Sequence, residues 1–272
     1  MFEKILQNTA MQKPIVHCIT NYASINDCAN IILAVGGLPF MAESPDEAAE
    51  VTAKSGALVI NTGMLTQQKL KAMLISGKTA NSFNIPVVLD PVGVGASQFR
   101  INAASSLLQN IHFSVIRGNL SEIKSLCGLS LNGSGVDVSE VDAASGIDET
   151  IAAAKALNHK TNAVIAVTGK TDIVTDGKKV FAIHNGCPLM KKITGAGCML
   201  TAVAAAFCAA NKNDVLNSAA AAVGAFGLSG ELAYKMLDGK GDMTGSYKIH
   251  LIDCMSIMTG EILRGGLKIE HR

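Results

Sequence analysis

Residues Ile193 to Cys198 read Ile-Thr-Gly-Ala-Gly-Cys and run straight into Met199–Phe207, a stretch with the composition of a buried helix. Two glycines ahead of a helix make a tight turn with free backbone N–H groups. The first helical turn adds unpaired N–H groups and the positive end of the dipole. Gly195, Ala196, Gly197 and Cys198 therefore form a candidate anion site, suited to a phosphoryl group that gains charge as it is transferred. A glycine turn that merely feeds a core helix explains the same residues equally well, so a second cluster has to decide.

That cluster is Asn119-Leu-Ser-Glu122, which follows an apolar run and opens a helix whose stripe is Leu120, Ile123, Leu126 and Cys127. Glu122 falls off the stripe, near the helix start. A carboxylate there can hold Mg²⁺ directly or through water, as phosphoryl transfer needs, or simply favour the first-turn dipole. Asp90, before Pro91, is a second candidate magnesium ligand or a turn former. Other phosphate motifs fail. Gly77-Lys78-Thr79 and Gly169-Lys170-Thr171 lack the earlier P-loop glycine, with Ala72 and Val164 in its place. Gly93-Val-Gly95 starts a dinucleotide fingerprint that Gln98 interrupts.

The elements that must position these residues alternate. Short apolar runs at Ile15–Ile19, Ala57–Ile60, Pro86–Leu89, Ser114–Ile116 and Ala163–Val167 predict buried strands. Longer stretches at Asn26–Val35, Pro45–Ala53, Thr66–Ala80 and Ala103–Leu108 predict helices. The pattern predicts an α/β fold with a central, mostly parallel sheet and helices on both faces. Three runs end in polar and glycine residues, Asn61-Thr-Gly63, Asp90-Pro-Val-Gly93 and Arg117-Gly-Asn119. Ligands bind outside the carboxyl ends of strands in such sheets, so the site is expected there. Ile173–Thr175 and Val180–His184 flank Asp176-Gly177 and predict a hairpin. Gly128–Gly146 reads as a loop or short helical excursion, and the chain from Gly195 onward as essentially helical. One domain over residues 1–272 is expected.

Composition narrows the function classes. The 272 residues are 49% hydrophobic and 17% charged, which excludes a disordered chain. A net charge of +1 gives no footprint for nucleic acid. Aromatics are 4% with no Trp, leaving aliphatic side chains and backbone to hold any purine. Seven cysteines without a Cys-x-x-Cys pair argue against a disulfide framework or structural zinc. The N-terminus lacks the pattern of a secretory signal. Val215–Ala233 is apolar but broken by Asn217, Ser218, Ser229 and Glu231, and reads as a core helix rather than a membrane span. A cytoplasmic chain is expected.

The ordered set Asp90-Pro-Val-Gly93, Arg117-Gly-Asn119-x-x-Glu122, Val167-Thr-Gly169 and Thr194-Gly-Ala-Gly197 resembles the ribokinase superfamily of small-molecule kinases. Pro14-Ile-Val-His17-Cys-Ile-Thr20-Asn21, Asn26, Met41 and Gly186-Cys-Pro-Leu-Met190 resemble the hydroxyethylthiazole kinase branch, from about Pro14 to the C-terminus. The resemblance implies a ribokinase-like fold. It implies ATP- and Mg²⁺-dependent phosphorylation of the primary alcohol of 4-methyl-5-(2-hydroxyethyl)thiazole in thiamine salvage, by a homotrimer with active sites at subunit interfaces. It places Met41, Asn21 and Gly195 at the substrate and Arg117, Thr168 and Asn119 at the nucleotide. It makes Asp90 and Glu122 the magnesium-organising acids.

Cys198 stands where most of the superfamily has an aspartate base. A thiolate can form near neutral pH at a helix N-terminus. Sulfur is nevertheless a soft base, and a loose transition state asks little of one. Positioning, Mg²⁺ and the Gly195–Cys198 turn are expected to supply most of the rate. Three alternatives remain open: a kinase for another heteroaromatic alcohol, a nucleotide-binding protein without turnover, and a Cys198 nucleophile enzyme. The last needs a base, and only His17 and His184 fall near strand ends, His17 reading as a satisfied core histidine.

Overall fold

The computed structural model describes residues 1–128 and 146–272. The stretch expected to be a loop, Gly128–Gly146, falls outside them apart from its ends. The chain begins with helix α1 (Phe2–Gln12) and strand β1 (Ile15–Ile19), then α2 (Ile25–Ala34), β2 (Leu38–Met41), α3 (Ala48–Ala53) and β3 (Ala57–Asn61). It continues through α4 (Gln67–Ser82), β4 (Val87–Asp90), α5 (Gln98–Asn110), β5 (Val115–Asn119) and α6 (Leu120–Cys127). After the gap come α7 (Ile147–Thr161), β6 (Val164–Thr168), β7 (Asp172–Thr175) and β8 (Val180–Ile183). The chain closes with α8 (Ala196–Ala210), α9 (Val215–Lys235), α10 (Thr244–Ser256), α11 (Gly260–Gly266) and β9 (Ile269–His271).

The nine strands among the described residues join one sheet in the order β2-β1-β3-β4-β5-β6-β7-β8-β9. Pairings from β2 to β6 are parallel, and those from β6 to β9 are antiparallel. The continuous apolar runs follow from burial on both faces, complete in β3 and β4. Alternate side chains go to opposite layers. Val16, Val59, Val88 and Ala166 pack with α1, α2 and α8 to α11. Leu58, Ile60, Leu89 and Ile165 pack with α3 to α7. In the first layer α8 lies across β1, β3 and β4. That placement brings its N-terminus to their carboxyl ends.

Polar caps account for several boundaries. Thr66 accepts the amide of Lys69 at the start of α4, and Ser97 that of Arg100 at the start of α5. The Ser97 cap starts α5 well before the expected Ala103. The expected helix from Pro45 begins only at Ala48, because Pro45–Glu47 form a turn closed by the Ser44 carbonyl. The expected strand over Ser114–Ile116 runs on through Asn119 as β5.

Two edge strands escaped the sequence reading. β2 contains Pro39, which lacks a ladder donor and is tolerated at a sheet edge. β9 is three residues long and interrupts the helical end. The hairpin is present as β7 and β8, with Asp176 Oδ1 accepting the amides of Lys178 and Lys179. α9 is long and apolar enough to cross a membrane, and here every residue from 218 to 230 is buried in the helical layer.

Candidate active site

Parallel register lines up the polar strand ends. Asn61 of β3 sits beside Asp90 of β4, and Asn119 of β5 beside Thr168 of β6. Each is the last residue of its strand. Asp90 is fully buried. Its Oδ2 accepts from Asn61 Nδ2 at 2.8 Å and Thr201 Oγ1 at 3.0 Å. Its Oδ1 lies 3.6 Å from Arg117 Nη1 and has no hydrogen-bond partner among the described residues. Burial raises the Asp90 pKa against the pull of Arg117, Thr201 and Asn61. Arg117 Nη2 donates to Thr168 Oγ1 at 2.6 Å, while Nε is buried and unpartnered among the described residues. Buried polar atoms left open this way cost stability. Asp90 Oδ1 and Arg117 Nε belong to the two partners of one ion pair.

The turn ahead of α8 meets them. Gly195 adopts a left-handed conformation, φ 84°, and a Cβ there would stand 2.9 Å from Ser24 Cβ. Its carbonyl accepts from Met199 N at 2.8 Å, and no side chain caps α8 among the described residues. At Gly197 a Cβ would collide with the Arg117 guanidinium. The cation therefore lies directly on the first turn of α8, where the helix contributes its own positive end. A permanently charged planar donor beside free amides is a site for phosphate oxygens.

Cys198 Sγ accepts from Asn61 Nδ2 at 3.2 Å and Asn21 Nδ2 at 3.4 Å. Asn21 Nδ2 also reaches Asn61 Oδ1 at 3.1 Å. These contacts join Asn21, Asn61, Asp90, Thr201 and Cys198 into one network. Burial pushes the Cys198 thiol up, and the neighbouring Asp90 adds to it; Ser24, Asn21 and Arg117 oppose them. The thiolate that the helix position suggests is therefore disfavoured, because burial, with Asp90 beside it, outweighs the groups that would stabilise the anion.

Glu122 is occupied differently. Oε1 accepts the amide of Gly93 at 3.0 Å and Oε2 that of Asn119 at 2.9 Å, while Asn119 Oδ1 takes the Glu122 amide at 2.8 Å. This is a reciprocal capping box. It also ties the Asp90–Gly93 loop to the start of α6. Burial and Asp90 raise the Glu122 pKa to about 7, against Arg117 and the two amides.

Met41 stands apart. It ends edge strand β2, beside Cys18 of β1 and two strands from Asn61. Asn61 and Thr201 were not singled out by the sequence as site residues. The first was visible as a polar end to an apolar run. The second was a lone hydroxyl in an apolar helix, whose partner sits 111 residues away. The histidines needed by a cysteine-nucleophile enzyme are committed elsewhere. His17 is buried, with Nδ1 2.9 Å from Thr52 Oγ1 and Nε2 2.9 Å from the Ala42 carbonyl, and burial lowers its pKa. His184 faces Thr171 and Glu270.

The family model described as the Hydroxyethylthiazole kinase family matches residues 6–261. The chain belongs to that family. A hydroxyethylthiazole kinase of Clostridium beijerinckii is 46% identical over 268 residues, 98% of this chain and 96% of its own length. One of Ruminiclostridium cellulolyticum is 46% identical over 259 residues, covering 95% and 93%. Among solved structures, the hydroxyethylthiazole kinase protein of Pyrococcus horikoshii OT3 superposes with a TM-score of 0.88 at 31% identity, covering 100% of this chain and 98% of that one. The pyridoxal kinase of Staphylococcus aureus in complex with ADP superposes at 0.61 with 17% identity, over 79% and 86%, and shares the fold. The ribokinase-like expectation is thus met. Family membership makes ATP the co-substrate.

Proposed function

We propose that this chain transfers the γ-phosphoryl group of ATP to the primary alcohol of 4-methyl-5-(2-hydroxyethyl)thiazole, giving the thiazole phosphate used in thiamine salvage. The observation that carries the reading is the Arg117 guanidinium lying on the uncapped first turn of α8 beside Asp90 and Cys198, in a chain of this family. Arg117, Thr168 and Asn119 hold the nucleotide phosphates. The amides of Gly195, Ala196, Gly197 and Cys198 receive the charge that builds on the transferring group. The Gly195 backbone orients the alcohol, and Asn21 and Met41 bound its pocket.

Mg²⁺ fits these residues. No cluster of three or more metal-ligating side chains exists among the described residues. Mg²⁺ with a nucleotide characteristically takes one or two carboxylates and completes its shell with phosphates and water. Asp90 brings an unpartnered buried oxygen, and Glu122 keeps lone pairs beyond its two amides. When bound, the ion neutralises charge on the phosphates. Cys198 serves as a positioning group, because a thiol raised by burial and Asp90 is a poor base.

The catalytic unit is the whole chain as one domain, in the cytoplasm, assembled as a homotrimer with its sites at subunit interfaces. Apolar exposure around β2 supports the assembly: Leu38 and Phe40 are each 45% exposed and Leu33 53%, at a sheet edge that ends in Met41. Coupled ADP release with Mg-ATP and the thiazole, with the alcohol omitted as control, tests the reaction. Alcohol-dependent release with a phosphorylated product by mass spectrometry is expected. Turnover only with another heteroaromatic alcohol would move the substrate and keep the chemistry. ATP binding without turnover of any alcohol would overturn the reading.

A further inference from the structure

Lys69 is 3% exposed, yet it stands in the first turn of α4, where a cation opposes the helix dipole. A buried ammonium in that position lowers stability unless its neighbours are arranged for it. They are. Lys69 Nζ donates to the Thr20 carbonyl at 2.9 Å and pairs with Glu43 Oε2 at 2.8 Å. It also sits 4.4 Å from the centre of the Tyr22 ring. The Tyr22 hydroxyl donates in turn to Glu43 Oε1.

These contacts join three segments that are separate in the chain. Thr20 and Tyr22 flank Asn21, whose amide reaches Cys198 and Asn61. Glu43 lies two residues beyond Met41. α4 anchors both from the opposite helical layer. The ammonium therefore holds the Asn21 side and the Met41 side of the alcohol pocket to one point, while the nucleotide groups Arg117 and Thr168 lie further along the sheet on β5 and β6.

We infer that Lys69 is a positioning residue for the alcohol substrate, acting through the Thr20 carbonyl and Glu43 to set Asn21 and Met41. This rests on the pocket assignment above. It separates from a purely structural role because it demands an effect on one substrate and not the other.

The test is steady-state kinetics of Lys69→Met with each substrate varied in turn. The KM for the alcohol is expected to rise about tenfold, as misplaced positioning groups cost enzymes that and more, with the KM for ATP changed less than about twofold. Lys69→Arg should recover part of the loss, since a guanidinium can reach the same acceptors. Glu43→Gln keeps the Thr20 contact, serves if Lys69→Met does not fold, and should raise the alcohol KM about threefold by the same argument. Equal changes in both KM values, or a lower melting temperature with neither KM changed, would overturn the inference.

A second readout does not depend on the substrate. Alkylation of Cys198 by iodoacetamide, followed on its own peptide, should run several-fold slower in Lys69→Met, because Asn21 then no longer donates to the sulfur and the thiolate it favours is less populated. An unchanged rate in a folded variant counts against the inference, even if the natural alcohol proves not to be the thiazole.

Discussion

Asp90, fully buried at the end of β4, and Glu122, half-buried in the first turn of α6 just beyond β5, both feel the charge of Arg117, and the fold uses them in opposite ways. Asp90 has one oxygen satisfied by Asn61 and Thr201 and the other left without a hydrogen-bond partner among the described residues. Glu122 has an amide on each oxygen, at Gly93 and at Asn119. The first carboxylate keeps an oxygen that no described residue bonds. The second holds the chain itself, fixing the loop after Asp90 against the helix that follows Arg117-Gly-Asn119. Residue type cannot separate these roles; the separation comes from what stands opposite each oxygen.

The sharpest way to break this contrast is to remove the charge on Asp90. Asp90→Asn preserves shape and is expected to lower kcat/KM by about 10³-fold, in the range found when a single charge-stabilising group is lost. Unfolding free energy should fall by less than about 2 kcal/mol, because a carboxylate whose pKa burial has raised contributes little to stability as an anion. Urea titration beside steady-state kinetics checks both. Glu122→Ala should reverse the balance. It strands the amides of Gly93 and Asn119, each worth about 1–3 kcal/mol when unsatisfied, so it should destabilise the fold more than Asp90→Asn and cost less activity. If Asp90→Asn proves the more destabilising and Glu122→Ala the more inactivating, the assignment is inverted.

The pH dependence separates the two acids more finely. Glu122 titrates near 7 in the folded chain against an ordinary value of 4.5. The folded state thus keeps a proton that the unfolded chain releases at lower pH. Stability must fall as pH rises from about 4.5 through 7, and the contribution is fully present only below 4.5. Glu122→Gln removes that group. Urea midpoints at pH 5 and pH 7.5 should fall more with rising pH in the wild type than in Glu122→Gln; parallel changes would mean that Glu122 is not the titrating group.

The smallest expected effect on the stability of the folded chain comes from the far edge of the sheet. Phe40→Asp places a charge among the exposed side chains beside β2. If β2 forms part of the proposed trimer interface, the substitution should give monomers in size-exclusion chromatography with light scattering, lower turnover because the proposed sites lie at that interface, and leave the melting temperature within a few degrees. A variant that elutes unchanged would remove β2 from the interface.

The parts of this molecule that could be read in the sequence are those governed by local pattern. The buried strands stand out as short, mostly Val, Ile, Leu and Ala runs, and the polar residues terminating them mark the edge at which the candidate site is built. Thr66 and Ser97 were ordinary cap residues, yet only the first was placed at a helix start. β2 was hidden by Pro39, which argues against a strand until one knows that the strand is an edge. The deeper losses concern distance. Nothing near Thr201 indicates that its hydroxyl meets Asp90, and nothing near Lys69 indicates that its ammonium closes on Thr20 and Glu43. The raised Cys198 thiol has no local signal either, because the helix position argues for a thiolate while its burial, and Asp90 at the end of β4, come from the tertiary fold. Asp90 and Glu122 both stand out in the sequence as candidate acids, but the Gly93 amide that distinguishes them meets Glu122 only once the loop is folded.

In the proposed reaction, phosphoryl transfer depends on placement at the first turn of α8 and not on a thiolate base. The most direct test is the pH profile of kcat/KM for the wild type and Cys198→Ser, measured from pH 6 to pH 10. Placement predicts two curves of the same shape, with the serine variant within about tenfold of the wild type, below the 10²–10⁴-fold that a working general base contributes. A rising limb present in the wild type and absent in Cys198→Ser, with a loss above 10⁴-fold in a folded variant, would contradict it.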